Sequence, residues 1–194
     1  EPSVLDVLVI GSKRLKDTRG ICPLLVAFTA AQTNRTGRKA PFFSGREVAK
    51  SLGLPLIAIS DPTLCLNEDI PLAWYVGNEA IPKLPHCIAS ILLGIANRYD
   101  VRLILFGGSG AGFAVLSQLH LLQCNATGFV WNPQTSISEY VPEVVRTYVS
   151  TAFPKLRDEA DRTSQMSQHA ARVLLKQLLN MADIHHDLIA QSNR

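Results

Sequence analysis

No stretch of this 194-residue sequence approaches the roughly 18 uninterrupted apolar residues that a bilayer crossing requires, so no membrane span is expected. The first residues, Glu1-Pro2-Ser3-Val4-Leu5-Asp6, lack the basic start of a secretory signal, and the chain as given reads as soluble. A first residue other than methionine points to the removal of something upstream. Charge of one sign is lacking too. The net charge is +3, and the basic residues are dispersed rather than striped with aromatics, which argues against a nucleic-acid partner. Cys22, Cys65, Cys87 and Cys124 show no C-x-x-C spacing and lie in mostly apolar surroundings, as expected of reduced, buried thiols in a cytoplasmic protein. There is no internal repeat and no low-complexity segment. With 47% hydrophobic and 18% charged residues, the composition is globular, and a single domain over 1–194 is expected.

What the chain does contain is the run Leu103-Ile104-Leu105-Phe106-Gly107-Gly108-Ser109-Gly110-Ala111-Gly112-Phe113-Ala114-Val115-Leu116. An apolar strand stops there at a glycine cluster flanking one serine and opens into a helix. Such a sharp turn forces its central residue into a strained conformation, and neighbouring glycines let the backbone pass without a Cβ clash. The Ser109 hydroxyl then projects above the sheet as a nucleophile. Gly110, in the first helical turn, offers an N–H and the positive end of the helix dipole to an oxyanion. A dinucleotide fingerprint fails in both registers, because Phe113 or Val115 occupies the third glycine position and Thr127–Asn132 lacks the acidic residue expected about 20 positions later. A phosphate loop would need Gly-Lys-Ser/Thr, which is absent. The plainer alternative is a serine that only caps the helix. In Gly107-Gly108-Ser109-Gly110-Ala111 the last glycine of G-x-S-x-G is replaced by alanine, which keeps the side chain small where helix and strand meet.

Short apolar runs alternate with helix-period segments, the pattern of an α/β fold with a mostly parallel central sheet and helices on both faces, in three αβα layers. Strands are expected at Val4–Ile10, Leu24–Ala30, Leu54–Ser60, Arg102–Gly108, Thr127–Pro133 and, less regularly, Arg172–Leu178. Helices are expected at Gly45–Leu52, Pro85–Tyr99, Ser109–Gln123 and Glu139–Thr151. Gly11–Pro23 has no helical pattern, and a parallel crossover usually carries a helix, so the first two strands are expected to run antiparallel. Lys155–Gln168 is the most polar stretch and suits a lid or surface helix. Ser164–Leu179 also has near-helical apolar spacing, which competes with the sixth strand.

A nucleophilic serine needs a base within reach and a group to orient that base. Of five histidines, His86 precedes a helix, His120 lies about three turns beyond Ser109, and His169 sits in a polar helical stretch. That leaves Asp183-Ile184-His185-His186-Asp187, with Asp183 as the acid and His186 as the favoured base, or else a polar helix end. Metal binding by this cluster would need a second ligand group that the chain does not supply, and no cofactor is expected. The loop after Leu24–Ala30 offers the backbone of Thr29 or Ala30 as a second oxyanion donor. Asp61-Pro62-Thr63 and Trp74-Tyr75-Val76-Gly77 follow a strand, where open sheets bind ligands; their plainer readings are an Asp-Pro turn and a buried Trp. Arg35, Arg38 and Lys39 form either a solvated loop or a site for an anionic substrate group.

The elbow, the alternation and the late Asp/His cluster together resemble the α/β-hydrolase superfamily. Pro41-Phe42-Phe43-Ser44-Gly45, Ser60-Asp61-Pro62-Thr63-Leu64, Leu72-Ala73-Trp74-Tyr75-Val76-Gly77, Phe106–Ala114 and Trp131-Asn132-Pro133-Gln134-Thr135 look like a bacterial branch of it, which includes proteins associated with surface polysaccharides and accessory secretion. The resemblance spans Leu24 to Asp187. It implies Ser109 as nucleophile, Gly110 as oxyanion donor, Asp183 as acid, and an esterase or deacylase acting on a small-molecule or glycan ester. In the superfamily the histidine follows one more strand, whereas only eight residues remain after His186. Three outcomes follow: His186 serves, the base lies in a segment not present and the fold is truncated at its C-terminus, or the protein does not catalyse and works by binding within a glycan-assembly or secretion complex.

Overall fold

Cys22–Phe28 is apolar without alternation, and a strand of that kind needs cover on both of its faces. In the structure, a computed structural model that describes residues 4–17, 22–122 and 126–155, this run is the middle strand of a five-stranded sheet. The strands are β1 (Val7–Ile10), β2 (Cys22–Phe28), β3 (Leu56–Ile59), β4 (Val101–Gly108) and β5 (Ala126–Trp131), in the spatial order β1-β3-β2-β4-β5. β2 lies parallel to β3 and β4, and β4 parallel to β5, with Gly108 opposite Trp131. β1 is antiparallel to β3.

The first two strands are thus opposed in direction, as expected, but they are not neighbours, because β3 lies between them. Their connection also differs from the expected bare loop, since it holds one helical turn, α1 (Arg14–Asp17), whose Arg14 guanidinium donates to the Gly53 carbonyl. One turn is too short to form a parallel crossover, so β1 enters reversed at the sheet edge.

The longer helices follow their apolar spacing. α2 (Arg46–Leu52) stops at Gly53, whose left-handed backbone (φ 65°) returns its N–H to Ala49 and Lys50. α3 (Leu84–Tyr99) carries Pro85 in its first turn, where no intrahelical N–H bond is lost, and buries Leu84, Ile88 and Leu92. α4 (Gly110–Leu122) follows the elbow, and Gln118 ties it to α3 by donating to the Pro85 carbonyl at 2.9 Å. α5 (Pro142–Ala152) buries Val145, Tyr148, Val149 and Ala152, a single helical face.

Side chains of β2 alternate between two apolar clusters. Leu24, Val26 and Phe28 pack with Leu103, Leu105, Ile88 and Val115, whereas Leu25 and Ala27 pack with Leu56, Ala58 and Ala49. A third cluster joins loop residues Phe42, Leu64, Leu72 and Trp74 to Phe113 of α4 and Tyr148 of α5. On β5 the exposed Phe129 ring stacks with Phe106, and the exposed Trp131 ring meets Phe106 at a tilt of 50°.

Two expectations are corrected by exposure. Cys22 is buried and free, but Cys65 and Cys87 are exposed free thiols: the first is the outward last residue of the otherwise buried turn Pro62–Cys65, and the second lies on the outer side of α3. No helix among the described residues is long and apolar enough to cross a membrane. The sixth apolar run Arg172–Leu178, the helical pattern Ser164–Leu179 and all of Lys155–Gln168 except Lys155 lie outside the described residues. Lys155 donates its backbone N–H to Glu79 at 2.8 Å.

The elbow's tolerance for alanine at position 111 has a steric basis. A Cβ built on Gly107 would stand 2.7 Å from the Ala111 carbonyl oxygen and 2.9 Å from its Cβ, so strand and helix touch there and only one of the two residues has room for a methyl group. Gly107→Ala is expected to cost about 1–3 kcal/mol of stability by overpacking. Exposed Gly94, in α3, has nothing within 4 Å of such a Cβ, and Gly94→Ala should add about 0.5–1 kcal/mol through helix propensity. Urea midpoints at unchanged slope report both changes. A Gly107→Ala protein as stable as wild type would refute the contact.

Candidate functional site

Ser109 joins β4 to α4 with a left-handed backbone, φ 52°, a conformation that costs a residue bearing a Cβ roughly 1–2 kcal/mol. The surroundings hold it there. Its N–H donates to the Trp131 carbonyl (3.1 Å), and its carbonyl accepts the N–H groups of Gln134 (3.1 Å) and Phe113 (3.3 Å). The half-buried hydroxyl accepts the Gln134 side-chain amide at 3.0 Å, and the indole N–H of Trp74 donates to the oxygen of that same amide. Gln134 is therefore gripped from both ends, and its N–H points at the serine oxygen.

Gly110 is buried as the first residue of α4, where helix geometry leaves the N–H without an intrahelical acceptor. Leu72 closes over it so tightly that a Cβ would meet its side chain at 2.5 Å. A side chain at this position would require Leu72 to shift.

Trp74 and Leu72 reach the elbow because the segment between β3 and α3 is anchored by Asp61. This buried carboxylate caps a 3₁₀ turn (Pro62–Cys65) by accepting the Thr63 N–H at 3.0 Å, and it accepts the Tyr75 N–H at 2.6 Å. Trp74 and Tyr75 are both left-handed, at φ 54° and 59°. The Tyr75 hydroxyl donates to the Ile59 carbonyl and accepts the Thr29 N–H, each at 2.7 Å. Burial, with Asp61 nearby, pushes the Tyr75 phenol well above its ordinary range, so it stays protonated as a donor. Tyr148 donates to the Gly77 carbonyl at 2.9 Å and holds the far end of the segment.

The residues expected at the site fare differently. Ser109 and Gly110 stand together at the carboxyl end of β4. Of Thr29 and Ala30, the two alternatives for a second oxyanion donor, Thr29 has its N–H bonded to Tyr75 and its hydroxyl to the Phe42 carbonyl (2.9 Å), both buried bonds. Ala30 is half-buried and accepts Gln32 through its carbonyl. Asp183, His185 and His186 lie outside the described residues. His86 and His120 are on α3 and α4, and the Asp-Pro turn and buried Trp74 follow their plainer readings. Arg35 fits neither reading of the basic loop. It is buried, donates to the carbonyls of Leu64 (2.7 Å), Ile70 (2.8 Å) and Asn67 (3.0 Å), and lies over the Phe42 ring, pinning the start of the segment that carries Leu72. Arg38 and Lys39 are exposed.

Gln134 entered the sequence reading only as part of the Trp131-Asn132-Pro133-Gln134-Thr135 motif, with no role of its own. It lies just beyond β5, at the carboxyl ends of parallel strands where open sheets gather their ligands.

No family model matches this sequence, and no curated protein does. Among solved structures the chain is similar to the Glycosylation Associate Protein (Gap123) complex from Streptococcus agalactiae, with a TM-score of 0.52 and 16% identity over 86% of this chain. The match spans only 30% of that longer chain. The N-acyl homoserine lactonase AidH, an α/β-hydrolase, complexed with N-butanoyl homoserine, is a further neighbour, with a TM-score of 0.41, 12% identity, and coverage of 96% of this chain and 70% of that one. The likeness to the first is one of fold.

Burial raises the Asp61 carboxyl from 3.8 to about 6, against the opposing pull of the Tyr75 and Thr63 N–H bonds. Because the folded value lies above the unfolded one, folding favours the protonated form. The group's contribution to stability is full below the unfolded value and is lost as pH rises through the folded one. Roughly two units at 1.36 kcal/mol each give about 3 kcal/mol, spread between about pH 4 and 6. Relative to Asp61→Asn, which does not titrate, wild-type unfolding free energy should therefore fall by that order across this window. Chemical denaturation at several pH values measures it, and a difference that stays flat with pH would sink the assignment.

Proposed function

We propose that this chain is a serine hydrolase of the α/β-hydrolase type that cleaves ester bonds in a small-molecule or glycan substrate, with Ser109 as nucleophile. The observation that carries the reading is the left-handed Ser109 (φ 52°) between a parallel strand and a helix N-terminus, since strain of this kind persists only where the surroundings enforce it and it clusters at functional sites. In this reading the sheet is covered on both faces, by α3 and α4 on one side and α2 on the other. The exposed free thiols of Cys65 and Cys87 suit a cytoplasmic setting.

The chemistry is acyl transfer in two halves. Ser109 Oγ bonds to the ester carbonyl carbon as its proton passes to His186, which Asp183 orients, and the carbonyl π pair moves onto oxygen. The N–H groups of Gly110 and Ala30 hold that oxyanion. Its collapse expels the alcohol, which takes the proton from His186 and leaves an acyl-Ser109. Water then repeats the sequence, releasing the acid and restoring the hydroxyl.

A second reading, non-catalytic binding within a glycan-assembly or secretion complex, is favoured by one contact: among the described residues the hydroxyl of Ser109 is bonded to an amide nitrogen, which cannot accept its proton. The fold likeness to a glycosylation-associated complex supports it as well. A fluorophosphonate probe separates the two. Wild type should label at Ser109 and show a burst with activated short-chain esters, and Ser109→Ala should lose both. Equal labelling of wild type and variant removes Ser109 from the mechanism, and absence of both signals in wild type favours the binding role.

A further inference from the structure

We infer that the side-chain amide of Gln134 is an oxyanion donor, so that the hole is built partly from a side chain that Trp74 locks in place. The inference rests on the reading of Ser109 as nucleophile. Of the two backbone donors considered after β2, the Thr29 N–H is already committed to the buried Tyr75 hydroxyl at 2.7 Å, which leaves Ala30 alone on that side of the hole. Each further donor aimed at the same point adds to transition-state stabilisation.

Gln134 Nε2 is 3.0 Å from Ser109 Oγ. In the tetrahedral intermediate the former carbonyl oxygen and Oγ share one carbon, so a donor placed against Oγ needs only a small shift to meet the oxyanion. Three features fix it. The backbone N–H of Gln134 is bonded to the Ser109 carbonyl at 3.1 Å, which ties its Cα to the elbow. The Trp74 indole occupies the amide oxygen, which decides that the nitrogen faces the serine. Trp74 is itself buried and meets Tyr140 and Tyr148 edge to face, with centroids 5.8 and 5.5 Å away. A donor held this firmly needs little reorganisation as charge develops. In the ground state its bond to Oγ also leaves the Ser109 proton directed elsewhere, toward a base. When Oγ bonds to carbon and the π pair moves to oxygen, the amide N–H passes from the losing acceptor to the gaining one.

The test compares ester turnover by wild type, Ser109→Ala, Gln134→Ala and Gln134→Glu, with melting temperature as the check on folding. Removing an oxyanion donor should lower kcat by about 10²–10³-fold with KM little changed. Gln134→Glu keeps an acceptor for the Trp74 indole, so it carries the test if Gln134→Ala does not fold. Its ionised carboxylate repels the oxyanion, but once protonated it donates again, so its kcat relative to wild type should climb as pH falls toward the carboxyl's range, near 4.3 for a free glutamate. A purely structural role would not produce that rise. If either folded variant keeps kcat within about threefold of wild type, or loses only KM, Gln134 is not an oxyanion donor. Wild type that neither labels at Ser109 nor turns over removes this inference together with the nucleophile reading, whereas an active wild type with active Gln134 variants removes this inference alone.

Discussion

The carboxylate of Asp61 is the constraint on which the site depends. It sits where β3 ends and gathers two backbone N–H groups, Thr63 from its own turn and Tyr75 from fourteen residues along the chain. The second contact holds a segment whose two central residues, Trp74 and Tyr75, are in a conformation that each adopts only at a cost of order 1–2 kcal/mol. Held in this way, Tyr75 reaches the ends of β2 and β3 through Thr29 and Ile59, Trp74 reaches Gln134, and Leu72 closes over Gly110. Burial opposes ionisation of Asp61 and the two N–H bonds favour it, and both of those bonds belong to the loop it anchors.

The elbow has a second support that is independent of Asp61. Parallel pairing sets Gly108 opposite Trp131, which brings the loop beyond β5 against the turn beyond β4. Ser109 and Asn132 are both left-handed, at φ 52° and 43°, and the bonds from the Ser109 N–H to Trp131 and from the Gln134 N–H to Ser109 stitch the two strained turns together. Each turn is the other's brace. Strain shared in this way is stable because relaxing one residue would break hydrogen bonds at both strand ends.

Local features were legible in the sequence, and contacts across it were not. The elbow announced itself because glycines beside a serine at a strand end suit little besides a sharp turn into a helix, and the helices were readable because α3 and α5 repeat apolar residues on one face. The place of β1 was hidden, since which strand it pairs with depends on β3, which follows more than forty residues later. Arg35 looked like a solvated cation because its three acceptors are backbone carbonyls, which leave no mark in a sequence. The same blindness applies to Thr29, whose fate was decided by a tyrosine hydroxyl 46 positions away.

Among the described residues, the groups around Ser109 are neutral donors. An amide faces the hydroxyl, a helix begins at the next residue, and the nearby buried carboxylate is turned inward onto Thr63 and Tyr75. Such a set favours an oxygen that carries or acquires negative charge, and none of these described groups removes a proton. The division matters for both readings. On either proposed reading, a cup lined with such donors would hold an acyl oxygen or an anionic group, so recognition and oxyanion stabilisation would draw on the same side chains. Only a base approaching from outside the cup turns the first into the second. The geometry of the cup is fixed by the folded strands and loops, and the proposed catalysis requires an ionisable group besides the described ones that line it.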